Sequence, residues 1–189
     1  ETTGDGDVEL TAALSLSNAA GSSIRTSTGH VIETAADGLL DVAGPITTGS
    51  GNILLQSTGA GRNLQVDADV QSSSGHISLA AANSILLGAG ADVQTATTGT
   101  ISLQAVAGVM TMDATSSVAT SNGDIRAIAS GNITVGNILA TAANVSLICS
   151  VGSILDADGD DAQADVMAVG LRMQAAASIG TLGAGNNAI

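Results

Sequence analysis

A short phrase, a small polar residue followed by Gly, a variable residue and Val or Ile, recurs about every 23 residues along this chain. It reads Asp5-Gly6-Asp7-Val8, Thr28-Gly29-His30-Val31, Ser50-Gly51-Asn52-Ile53, Ser74-Gly75-His76-Ile77, Thr98-Gly99-Thr100-Ile101 and Asn122-Gly123-Asp124-Ile125. A self-similar period of this size marks a solenoid, in which each repeat is stable only against its neighbours. Within each period three strand-like phrases keep their own phase. The first includes Val8-Glu9-Leu10, Ile53-Leu54-Leu55, Ile77-Ser78-Leu79, Ile101-Ser102-Leu103 and Val145-Ser146-Leu147, alternating with the period of two of a half-buried strand. The second includes Leu64-Gln65-Val66, Ile85-Leu86-Leu87 and Ile133-Thr134-Val135, with a weaker copy over Val109 to Met112. The third is a lone β-branched residue in polar surroundings: Ile24, Ile46, Val70, Val93, Val118, Ile138 and Val166.

Three short strands per turn predict an all-β, single-stranded parallel β-helix of about eight coils, with Gly, Asn, Ser and Asp at the corners. No window keeps the i, i+3, i+4, i+7 stripe of a helix. A β-sandwich also uses short strands, but it does not demand the same residue type at the same phase in every repeat. The composition fits the stacked fold. There is no Phe, Tyr or Trp among 189 residues, and the apolar 44% consists mostly of Ala, Val, Ile and Leu, which stack identically where an aromatic would intrude on the coils above and below. That apolar fraction also argues against disorder. The unbroken period makes residues 1–189 a single elongated segment rather than two globular cores.

Near the C-terminus, Leu171-Arg172-Met173, Ile179 and Ile189 take the three strand phases in turn. If a copy of Glu1 followed Ile189, the next Ile24 would fall about 24 residues on, so the two ends are in phase. The expectation is a fragment or tandem unit of a longer array. No apolar run approaches the roughly 18 to 20 residues that span a bilayer, so membrane insertion by this segment is not expected. The net charge of −13, from 17 acidic residues against four Arg and no Lys, excludes a nucleic-acid partner, which needs clustered cations and stacking aromatics.

The repeated Gly-x-Ile-x-Leu phrases resemble the filamentous-haemagglutinin-like repeats of giant secreted bacterial proteins. The segment from Gly152-Ser153-Ile154-Leu155 through Asp156-Ala157-Asp158-Gly159-Asp160, with Gly170-Leu171-Arg172-Met173, Ile179-Gly180 and Asn186-Asn187-Ala188-Ile189, carries the same resemblance. What it implies is a right-handed parallel β-helix serving as a surface stalk, adhesin or matrix filament, extracellular or at the cell surface.

Candidate chemistry is sparse. Asp156, Asp158, Asp160 and Asp161, with Asp165 close behind, place carboxylates around a Gly in the way a hard cation requires, making Ca²⁺ the candidate ligand; the alternative is a solvated acidic loop between the second and third strands of coil seven. His30 and His76 both follow the recurrent Gly, two coils apart, too far to share a zinc ion, and read as turn residues. Cys149, two residues after Leu147, reads as a small buried hydrophobe. Gly51 and Gly75 read as turn glycines with positive φ, and Asn52, Asn63, Asn132 and Asn144 as turn formers or amide ladders between coils. Thr95, Thr97, Thr98 and Thr100 resemble the flat Thr arrays of ice-binding solenoids, but in one coil only.

No Gly-x-Ser-x-Gly elbow is present and no His is set by register beside a carboxylate, so no catalytic residue is assigned and the chain is not expected to be an enzyme. The leading expectation is a stiff extracellular rod whose partners are further copies of itself, head to tail. The alternative is an adhesin module recognising a glycan or cell-surface protein, with calcium held by the Asp156 to Asp161 loop.

Overall fold

The computed structural model describes residues 5–158 and 164–180. All regular structure among them is strand, paired in parallel, and the chain winds as a β-solenoid. One face is laid down by Val8–Ala12, Val31–Ala35, Ile53–Ser57, Ile77–Ala81, Ile101–Ala105, Ile125–Ala129 and the second half of Asn137–Cys149. A second face runs from Leu16–Asn18 through Leu40–Val42, Leu64–Val66, Ile85–Leu87, Met110–Met112 and Ile133–Val135 to Ile154–Asp156. The third holds Ile24–Thr26, Ile46–Thr48, Val70–Ser72, Asp92–Thr95, Ser117–Thr120, the first half of Asn137–Cys149 and the start of Val166–Ala175.

Seven complete turns lie within the described residues, where the period suggests about eight. Val166–Ala175 and the bridge from Ile154 to Ile179 enter an eighth turn; Ile189, its expected third strand, lies outside the described residues.

Register puts like residues in axial columns. Val31, Ile53, Ile77, Ile101, Ile125 and Val145 are successive partners, and Leu55, Leu79 and Leu103 form the neighbouring column. Leu40, Leu64, Ile85, Met110, Ile133 and Ile154 line the second face. These side chains are essentially excluded from solvent. Cys149 is buried too, in the column that holds Ala81, Ala105 and Ala129, as expected of a small hydrophobe. At the two ends the columns thin out: Leu10 is 37% exposed, and Leu171 and Ile179 are each 49% exposed.

The recurrent glycines are needed for a different reason from the one the sequence suggests. Positive φ occurs at Gly21, Gly61, Gly90 and Gly180, not at Gly51 or Gly75. Gly61, for example, has φ +74° in a turn closed by Arg62 N–H donating to the Gly59 carbonyl at 3.0 Å. Gly51 and Gly75 are required by axial contact instead. A Cβ on Gly75 would lie 2.0 Å from the Gly51 carbonyl oxygen, and one on Gly51 would lie 1.9 Å from that of Gly29.

Candidate functional site

The corner between the third and first faces carries a repeated set of side-chain-to-backbone hydrogen bonds. Each corner presents a Gly carbonyl and the N–H of the variable residue, and both must find partners. A buried hydroxyl serves the carbonyl: Thr26 Oγ1 donates to Gly29 O at 2.6 Å, Thr48 to Gly51 at 2.7 Å and Thr95 to Gly99 at 2.7 Å, with Thr120 donating to Gly123 in the same way. Ser72 also donates to Gly51 O, at 3.0 Å, and accepts from Gly75 N–H at 2.8 Å. The N–H is served from the neighbouring coil. His30 N–H donates to Asp7 Oδ1 at 2.7 Å, Asn52 N–H to His30 Nδ1 at 2.9 Å, His76 N–H to Asn52 Oδ1 at 2.8 Å and Thr100 N–H to His76 Nδ1 at 3.0 Å. Asn144 N–H completes the pattern on Asp124 Oδ1 at 2.9 Å.

Register does set the Asp7 carboxylate beside His30, against the expectation from sequence, but that carboxylate takes the His30 backbone N–H, and His30 and His76 are rungs of an axial ladder of acceptors. Accepting at Nδ1 requires the neutral ring with its proton on Nε2. The sequence signal was present in the variable position, which holds Asp, His, Asn, His, Thr, Asp: all carry an acceptor. The asparagines follow suit, though they take backbone N–H groups more than one another's amides. Asn132 Oδ1 accepts from Ser153 N–H at 2.9 Å, and Asn63 Oδ1 accepts from both Asn83 Nδ2 at 2.9 Å and Ser84 N–H at 3.2 Å. Where the pattern lapses, the corner changes shape. Ala140 follows Thr120 in the hydroxyl column, and there Asn137–Cys149 runs through the corner as one strand.

A base next to a hydroxyl occurs at His76 and Thr100, whose Nδ1 and Oγ1 are 2.9 Å apart. The same nitrogen already accepts the Thr100 N–H, and both residues sit on the exposed corner, so the pair lacks the free lone pair and the shielding that nucleophile activation needs.

The acidic loop is partly visible. Asp156 ends the strand Ile154–Asp156 at an inward phase, opposite Val135, and Asp158 N–H donates to Asp156 Oδ1 at 2.8 Å. Asp165, just before Val166, is buried, and its backbone carbonyl accepts from Ile138 N–H at 2.7 Å. Asp156, Asp158 and Asp165 each bring a carboxylate oxygen into a group whose members all lie within 4.8 Å of one another. Asp160 and Asp161 lie outside the described residues.

A groove of about 390 Å³ runs along the second face, with Gln65, Asp67, Thr111, Asp113 and Thr134 among its lining. Asp67 Oδ2 accepts from Gln65 at 2.6 Å. The side-chain and backbone donors of Thr115, at 2.7 and 2.9 Å, hold the Asp113 carboxyl below the usual carboxylate range. Gln65, Asp67 and Asp113 in this lining are thus engaged with their own neighbours. The exposed pair of Arg62 with Asp37 at 3.2 Å lies elsewhere and contributes at most about 1 kcal/mol.

No protein-family model, curated protein or solved structure matches the chain.

Proposed function

We propose that this chain is a structural rod: a segment of an extracellular or cell-surface stalk or filament, without catalysis, whose partners are further copies of the same coil stacked head to tail. The observation that carries this reading is the use made of the polar groups. At the repeat's variable position the side chains of Asp7, His30, Asn52, His76 and Asp124 each bind a backbone N–H of the neighbouring coil. A chain whose corner chemistry is spent on axial cohesion is built to be long and stiff. The partly exposed Leu10 at one end and Leu171 and Ile179 at the other are column positions that a further coil would cover. The resemblance to filamentous-haemagglutinin-like exoproteins supports the same reading. The acidic, lysine-free surface is consistent with a rod kept from lateral clumping by self-repulsion.

Imaging and sedimentation of the purified chain at rising concentration test it. At about 4.8 Å per coil, seven coils make a body about 34 Å long. Rods lengthening in steps of at least that size are expected, and a species that stays monomeric at every concentration would count against the reading.

A second reading is favoured by the clustered carboxylates of Asp156, Asp158 and Asp165. The chain is then an adhesin module whose coil-seven loop holds Ca²⁺ and meets a glycan or a surface protein. Oxygen ligands in a turn suit that ion, which takes six to eight of them at about 2.3 to 2.6 Å. Calorimetry should then give saturable heat with Ca²⁺, abolished by Asp158→Ala; no heat at millimolar ion ends this reading.

A further inference from the structure

Two of the ten asparagines head the tripeptide Asn-x-Ser/Thr with x other than Pro: Asn132-Ile133-Thr134 and Asn144-Val145-Ser146. That pattern is the acceptor signal for attachment of a sugar to the asparagine amide. It is short and common, so what matters is whether the folded chain can carry the product. The two copies differ in that respect.

Asn132 lies at the corner between the first and second faces, just before the strand Ile133–Val135. Ile133 points into the core and is 0% exposed, so Asn132 and Thr134 both take the outward phase, side by side on the surface. The two ends of the Asn132 amide have different duties. Oδ1 accepts the Ser153 N–H of the next coil at 2.9 Å, whereas Nδ2 makes no hydrogen bond among the described residues. A substituent on Nδ2 therefore leaves the axial bond in place. The surroundings are apolar and uncovered. Val109, beside Asn132 in the preceding coil, is 37% exposed, and its side chain leans over Gly131, where a Cβ would meet Val109 Cγ1 at 2.9 Å. Val151, 70% exposed, is set beside Gly131 from the following coil by its N–H, which donates to Ser130 O at 2.8 Å. The carbon–hydrogen face of a sugar on Asn132 would remove these valines from water.

Asn144 is placed differently. Its Nδ2 donates to Asp124 Oδ1 in the preceding coil at 3.0 Å. Its Oδ1 faces Gly170 in the following coil, where a Cβ would come within 2.5 Å of it. The amide is wedged between coils, and a sugar there would hold them apart.

We propose that Asn132 is a glycosylation site of this protein and that Asn144 is not. In the reaction Asn132 Nδ2 bonds to the anomeric carbon of a sugar activated as its diphosphate ester. The bond from that carbon to the phosphate oxygen breaks, the diphosphate leaves with the electron pair, and the amide gives up one proton to the transferase. The sugar projects sideways from the coils and leaves their axial surfaces free, so this site and the head-to-tail rod can fail independently.

Mass spectrometry with electron-transfer fragmentation, on the protein isolated from the cells that make it, tests this. Asn132 should carry the mass of one or more sugar residues, and Asn144 none. Thr134→Val keeps a β-branched side chain in the strand but removes the acceptor signal, and should abolish the modification; Thr134→Ser should retain it. An unmodified Asn132, a modification that survives Thr134→Val, or equal modification of Asn144 would overturn the proposal.

Discussion

Replacing Gly75 by alanine is expected to cost about 3 kcal/mol or more of stability, far above the effect of Gly→Ala at a site with room for the methyl group. The cause is a contact with backbone. The new Cβ would sit 2.0 Å from the Gly51 carbonyl oxygen and 2.5 Å from its carbon, and a neighbouring main chain cannot rotate aside as a side chain can. Relief would require the two coils to separate at that corner, which also strains the bond from the Ser72 hydroxyl to the Gly51 carbonyl and the one from His76 N–H to Asn52 Oδ1. Gly6 is the internal control: a Cβ there meets nothing within 4 Å, so Gly6→Ala should leave the melting temperature nearly unchanged. Circular dichroism melts of the two variants should differ by about 10 °C for a chain of this length. Equal melting temperatures would show that the corner does not pack as described.

Truncating Leu79 to alanine should cost about 2 to 5 kcal/mol, because the site cannot collapse around the missing atoms. Leu79 is 0% exposed and held in register by Leu55 on one side and Leu103 on the other, so both neighbouring rungs lose contacts. Leu10→Ala removes the same group from the same column, but at an end, where 37% of the residue already meets water; its cost should stay under about 1 kcal/mol. The contrast between the two belongs to a quasi-one-dimensional body, in which stability is a sum over neighbouring coils. Urea melts of both variants check it, and a Leu10→Ala penalty equal to that of Leu79→Ala would point to a single globular core.

What the sequence disclosed and what it concealed follow from the same geometry. The Val, Ile and Leu phrases announced their strands because stacking forces one residue type to recur at one phase, and Ile53, Ile77 and Ile101 are indeed partners. The lone third-strand residues, Ile24 to Val166, were legible for the same reason. The role of Gly51 and Gly75 was misread, since a Gly chosen for positive φ and a Gly chosen for lack of a Cβ are the same letter. His30 and His76 were placed correctly at corners, but their axial bonds become visible only once one corner is set above the next. Glu33 carries no such signal, because Val31-Ile32-Glu33-Thr34-Ala35 on its own reads as a strand with a solvated acid. Setting it in phase with Leu10 and Leu55 places the acid inside. The acidic segment was recognised as a cluster, but Asp165 joins Asp156 and Asp158 only because the chain returns to the third face beside them.

The central claim is that the backbone advances by one strand spacing per coil with equivalent residues superposed. Spin labels test it in solution. Glu9, Arg126 and Arg172 occupy one exposed column, five steps apart for the first pair and seven for Glu9 with Arg172. With Cys149→Ala removing the native thiol, and cysteine placed pairwise at those sites, pulsed electron spin resonance should give distances of about 24 Å and about 34 Å, in proportion to the number of coils at about 4.8 Å each. Distances that fail to grow with coil number would contradict the stacked-rung architecture and the rod built on it.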